Sequence, residues 1–105
     1  MRDVVWLLVL FDAPAVSDTE KKAHTRFRNH LLKLGFTRLQ WSCYARAYMR
    51  EKATSYDRTA IEIAAPAKSR IRLIMLTDLQ FEHMTCIDGG VRAKPEQKIG
   101  QIVIY

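Results

Sequence analysis

Glycine and proline are scarce in this chain. Four glycines and three prolines in 105 residues leave no linker-like stretch and no low-complexity tract, and no segment repeats another. Cysteine is scarce as well: the only two, Cys43 and Cys86, lie far apart and match neither metal-ligand nor redox spacing. That excludes a disulfide scaffold and a thiolate zinc site, and the pair reads as buried thiols in a reducing cytoplasm. Long hydrophobic runs are missing too. The longest, residues 4–11, holds eight residues, far short of the roughly 20 that cross a bilayer. Arg2 ahead of it and the Ala13, Pro14, Ala15 segment behind it give a faint signal-peptide look. However, Asp3 and Asp12 flank the run, and cleavage there would remove the best strand in the chain, so it reads as structure. Acidic residues are in deficit: eleven Asp and Glu face seventeen Lys and Arg, for a net charge of +6 and a pI near 9.6. In a chain this small, such an excess favours a polyanionic partner, either nucleic acid or an anionic membrane surface.

What remains is an ordinary globular composition, 49% hydrophobic and 27% charged. At this length the chain forms a single domain over residues 1–105. Such a domain buries about two-thirds of its surface without covalent staples.

The run VVWLLVLF is short, β-branched and aromatic, and it reads as a central strand buried on both faces. In SDTEKKAHTRFRNHLLKLG, Ser17 with Glu20 fits a capping box, and Gly35 stands where a helix ends. Between them Ala23, Phe27, His30, Leu31 and Leu34 share one helical face. Lys22, Arg26, Asn29 and Lys33 share another, with Lys21 and Arg28 to one side. FTRLQWSCYARAY alternates throughout, which means strand. Its thirteen residues exceed the usual strand length of about 5–6, so two strands reversing near Trp41 and Ser42 are expected, with a parity switch if the turn is tight. A second helix is expected over 55–65, with Tyr56, Ala60, Ile63 and Ala64 inward and Pro66 ending it. RIRLIMLTD is a further strand and 79–86 a short helical turn; DGG at 88–90 opens a flexible basic loop, and QIVIY is a last strand signal. The order is strand, helix, strand, strand, helix, strand, with one strand appended. It predicts an α+β, ferredoxin-like (βαββαβ) antiparallel sheet with two helices on one face. The appended strand cannot bury itself alone. The segment 88–105 is therefore expected to pair with a sheet edge, and a partner chain's edge serves as well as its own.

In that topology the first strand is central, and Asp12 leaves its C-terminal end beside Trp41 and Ser42 and beside Ser69 and Arg70. Metal-assisted phosphodiester cleavage needs several oxygen ligands, so one Asp suffices only where two chains bring theirs together. Otherwise Asp12 is simply the polar residue that ends a buried strand.

A hydrophobic strand closing in FDAP, then RFRNHLLKLGF, then LQWSCYARAY, resembles the small CRISPR-associated adaptation protein family, and most of all its type II system variants. The likeness runs from Val4 to about Met84. It implies a ferredoxin-like homodimer with the C-terminal strand laid on the partner. It also implies a scaffold that holds duplex DNA between the subunits of the CRISPR integrase. Asp12 matches the family's acidic residue, which binds a divalent cation, usually Mg2+, across the dimer interface, and members are credited with metal-dependent cleavage of RNA or DNA. Arg26, Arg28, Gln40, Ser42 and Tyr44 match the other motif positions. The alanine-rich EIAAPAKSR and the tail 88–105 depart from the pattern.

The remaining candidates keep two readings each. Lys22, Arg26 and Lys33, with Arg28, form a phosphate-tracking stripe or a solvated helix face. Tyr44 and Tyr48 interleaved with Arg38 and Arg46 form a stacking-and-phosphate surface or line a dimer interface. Ser42, with no histidine in a nucleophile-activating relation, reads as a turn or dimer-contact serine. His30 reads as a hydrogen-bonded core histidine, and His24 and His83 as surface residues. Three functions follow: a CRISPR integrase scaffold with or without nuclease activity, a stand-alone toxin-type ribonuclease, and a non-enzymatic binder of single-stranded RNA. The third lacks the glycine-aromatic signature of such sheets.

Overall fold

The central strand of the sheet is the apolar run itself. In the computed structural model, which describes residues 3–95, β1 (Val5–Asp12) pairs antiparallel with β3 (Cys43–Tyr48) on one side and with β4 (Arg70–Thr77) on the other. β2 (Thr37–Gln40) pairs with β3 and completes the order β2-β3-β1-β4. α1 (Asp18–Lys33) links β1 to β2, and α2 (Ser55–Ala64) links β3 to β4. This is the ferredoxin-like arrangement expected from the sequence.

Both ends of α1 are set by local chemistry. The Glu20 amide donates to Ser17 Oγ, and Ser17 N donates back to the Glu20 carboxylate, each at 3.1 Å. The Ser17 amide bond, then that from Val16, hold the Glu20 carboxyl below the usual carboxylate range. At the far end the Phe36 and Gly35 amides donate to the Leu31 and Leu32 carbonyls at 3.0 Å, with Gly35 at φ 97°. That pair of bonds is a Schellman closure, and its positive φ is the reason for glycine. Phe27 and Leu31 then pack with Leu7, Val9, Phe11, Phe36 and Ile61 between the helices and one face of the sheet.

The phase of α2 differs from expectation. Tyr56 and Ile63 point outward, 77% and 80% exposed, while Asp57 and Ile61 are buried and Ala60 and Ala64 half-buried. The reason is the carboxylate. Asp57 accepts from Tyr48 Oη at 2.6 Å and pairs with the Arg46 guanidinium, which also donates to the Leu34 carbonyl. A buried acid therefore sits on the face where sequence reading seeks only apolar residues.

The hairpin turns at Trp41 and Ser42 as expected, yet the parity does not switch along the strands. Gln40 pairs with Cys43, but an irregularity between Arg38 and Gln40 puts Arg38 opposite Tyr44 and Thr37 opposite Ala45. One extra residue in β2 cancels the flip that a tight turn imposes.

The opposite face of the sheet is half covered. α3 (Asp78–Glu82), capped by Thr77 and Gln80, lays Phe81 over Trp6 with ring centroids 3.8 Å apart. A stacked aromatic pair contributes about 0.5–1.5 kcal/mol beyond its buried area. Leu8, Ala45 and Ala47 complete this second core, and Trp6 Nε1 donates to the buried Asp78 carboxylate at 3.1 Å. Beyond Leu8 this face is open.

Residues 86–93 correct the expected flexible loop. β5 (Cys86–Asp88) and β6 (Val91–Ala93) form a hairpin whose turn is Gly89 and Gly90, at φ 59° and 85°. Positive φ at both positions suits a two-residue hairpin turn. The strand expected in QIVIY, and its pairing with a partner, lie outside the described residues.

Candidate active site and nucleic-acid surface

Asp12 is the last residue of β1, exposed, and directly across from Arg70 of β4. The Phe11 amide donates to the Ser42 carbonyl at 2.9 Å, which ties this strand end to the hairpin tip. Alternation along β1 turns Leu10 and Asp12 toward the open half of the sheet, and their partners Arg72 and Arg70 share that face. Asp12, Gln40, Trp41, Ser42, Arg70 and Arg72 together line an open concavity of about 610 Å³. The sequence placed Asp12 beside Ser42 and Arg70 correctly. It missed Arg72, whose signal was its alternation with Ile71 in a strand otherwise read as apolar.

Among the described residues no hydrogen bond or ion pair engages the Asp12 carboxylate, and no group of three His, Cys, Asp or Glu residues is placed to hold a metal. Neither cysteine is in a disulfide, and no helix among those residues is long and apolar enough to cross a membrane.

The basic candidates divide. Lys22, Arg26 and Lys33 lie exposed along the outer face of α1, and Lys22 and Arg26 line a shallow groove with Lys21, Thr25 and Asn29. Arg28 is half-buried and close enough to Tyr44 to influence its phenol. Arg38 is exposed and stands over the Trp41 ring at 5.4 Å. Arg46 is a correction. Its side chain is 12% exposed and paired with Asp57 beneath α2, so it braces the fold rather than meeting a phosphate. Tyr44 and Tyr48 are corrected with it: both rings are 1% exposed within the helix-side core, which removes them as a stacking surface and as an interface lining. Burial raises the Tyr44 phenol pKa, and burial with the Asp57 hydrogen bond raises that of Tyr48. Ser42 occupies its expected turn position, exposed. His83 is exposed, whereas His24 is half-buried against the Phe11 ring at 4.7 Å. His30 is half-buried on the apolar face of α1, and its Nε2 lacks the expected hydrogen bond among the described residues.

The family model described as CRISPR associated protein Cas2 matches residues 5–84, from the start of β1 to just past α3. The chain belongs to the Cas2 family. It is 35% identical over 95 residues to the CRISPR-associated endoribonuclease Cas2 of Paracidovorax avenae, covering 90% of this chain and 87% of the relative. It is 40% identical over 89 residues to the CRISPR-associated endoribonuclease Cas2 2 of Rhodospirillum rubrum, covering 83% and 79%. A third relative of the same name, from Parvibaculum lavamentivorans, is 29% identical over 101 residues and is covered along 100% of its length. The Cas2 match contains the Asp12 strand end, the basic helix and the Trp41 hairpin, and it stops short of β5.

Proposed function

We propose that this Cas2-family chain acts as a homodimeric CRISPR adaptation subunit that holds duplex DNA for the integrase. In this reading the dimer brings two Asp12 carboxylates together for metal-dependent phosphodiester cleavage. The observation that carries it is the placement of Asp12: a carboxylate at the exposed end of the central strand, unengaged among the described residues, with Arg70 across from it and Arg72 on the same face. The names of the relatives supply the ribonuclease activity.

Magnesium fits half of this site. Mg2+ prefers carboxylate and water oxygens in a near-octahedral shell and keeps several waters. Asp12 offers that donor chemistry, and a second Asp12 from another copy completes it. Two carboxylates brought together repel unless a cation lies between them. When bound, the ion supplies Lewis-acid stabilisation and an acidified water. The chain's own part is to fix Asp12 through the β1–β4 pairing and to attract the phosphate with Arg70 and Arg72. Buried Tyr44 and Tyr48 weigh against the RNA-binding sheet, whose bases need exposed rings.

Two measurements test the scaffold. Sedimentation at micromolar concentration is expected to give a dimer; a clean 12.2 kDa monomer overturns both the assembly and the shared metal. Lys22→Ala and Arg26→Ala are expected to weaken duplex DNA binding equally for all sequences. Each should also flatten the slope of log K against log salt by about one. A loss confined to some sequences overturns phosphate tracking by α1.

A further inference from the structure

Trp41 has no structural task that explains it. Two-residue turns favour Gly, Asn and Asp, yet here an indole stands at the tip 70% exposed. The other tryptophan, Trp6, is wholly buried and stacked on Phe81, so the core does not lack for this residue type. The indole is also held. The Arg38 guanidinium lies 5.4 Å from its centroid, a cation–π contact that restricts the ring and leaves the remaining surface open. Trp41 lines the same concavity as Asp12, Arg70 and Arg72. A large exposed aromatic with one arginine over its ring and two more lining the concavity it shares with Asp12 combines a π-face with positive charge, the pairing that tracks a nucleic-acid strand.

We infer that Trp41 stacks an unpaired base of a single-stranded nucleic acid at the Asp12 end of the sheet, while Arg38, Arg70 and Arg72 meet the flanking phosphates. Bases inside a duplex already stack on their neighbours and have no face to offer, so this contact selects unpaired over paired strands. Stacking does not depend on the sugar, so RNA and DNA strands share the site. The helix stripe of Lys22 and Arg26 lies on another element and reads a duplex backbone. The chain therefore carries two nucleic-acid surfaces of different preference. The inference rests on the reading of Asp12 as the reacting end of the sheet, but its test does not require cleavage.

The experiment follows Trp41 emission in the full-chain Asp12→Asn protein, with the Trp41→Phe form of that protein as the blank for Trp6. Oligonucleotides of about eight residues are added as single-stranded RNA, single-stranded DNA and a blunt duplex of the same sequence. Both single strands are expected to quench the emission, and the blunt duplex to leave it unchanged. Trp41→Ala is expected to weaken single-strand binding about tenfold, and Trp41→Phe by no more than about threefold, because a smaller ring still stacks. Duplex binding and its salt slope are expected to stay as they were. Equal quenching by the duplex, or unchanged affinity in Trp41→Ala, overturns the inference. So does an indole that acrylamide cannot reach in the free protein, because a second copy then covers it. Quenching that persists where Asp12→Asn fails to alter cleavage upholds Trp41 and removes the Asp12 reading; lost cleavage without quenching does the reverse.

Discussion

Asp12→Asn is expected to reduce metal-dependent cleavage to background while the protein still folds, dimerises and supports spacer integration. The substitution removes the charge and keeps the shape. Asp12 is exposed at a strand end, so the two cores do not register the change. The strand stays in place because its pairing with Arg70 and the bond from Phe11 to Ser42 are backbone interactions. Among the described residues no group of three His, Cys, Asp or Glu is placed to hold the cation in its stead. A neutral amide is a much poorer ligand for a hard dication. In the proposed scaffold reading, integration needs a held duplex, and the lysines and arginines of α1 rather than Asp12 are its expected grip. Assaying the variant in both reactions with one preparation decides the matter. Unchanged cleavage returns Asp12 to the role of a polar residue ending a strand. Lost integration in an intact dimer shows that Asp12 also serves the scaffold.

Asp57→Ala is expected to be the most destabilising change at a polar residue, by about 3–5 kcal/mol. Asp57 is 4% exposed, and its carboxylate accepts from Tyr48 Oη and pairs with the Arg46 guanidinium. Removing it strands a buried cation. Total stabilities of domains run about 5–15 kcal/mol, so urea titration will show the variant close to unfolded at 37 °C. Replacing both ends, as Arg46→Met with Asp57→Leu, is expected to recover most of the loss, because no charge is then left unpaired. A loss below about 1 kcal/mol for Asp57→Ala would mean that water reaches the pair and screens it.

The same triad shows where sequence reading stops. β1, the capped α1 and the reversal at Trp41 and Ser42 were legible, because each rests on contiguous signals: an apolar run, a capping box with its closing glycine, and strict alternation. From those the split topology followed, and with it the proximity of Asp12 to Ser42 and Arg70. The inward face of α2 was not legible. Asp57 pays for its burial through Arg46 and Tyr48, and a partner nine or eleven residues away leaves no mark in a helical period. Arg46 was misassigned for the same reason, since an arginine in an alternating strand looks alike whether it faces a phosphate or an internal acid. The irregularity in β2 has no glycine or proline to announce it. The cover that α3 gives to Trp6 depends on tertiary contact alone. Trp41 was visible as the turn residue, but only its exposure and Arg38 above it distinguish it from a buried anchor.

The placement of β1 has a consequence for synthesis. It leaves the ribosome well before its partners, β3 and then β4 beginning at Arg70. At roughly 5–20 residues per second the intervening chain takes several seconds to emerge. For that interval at least the β4 edge of VWLLVLF is unpaired, and such a segment pairs readily with other unfolded chains. A nascent chain paused before β4 therefore presents its stickiest segment for longest. Overproduction at low temperature, or with abundant chaperone, is the condition under which this strand reaches its own sheet rather than a neighbour's.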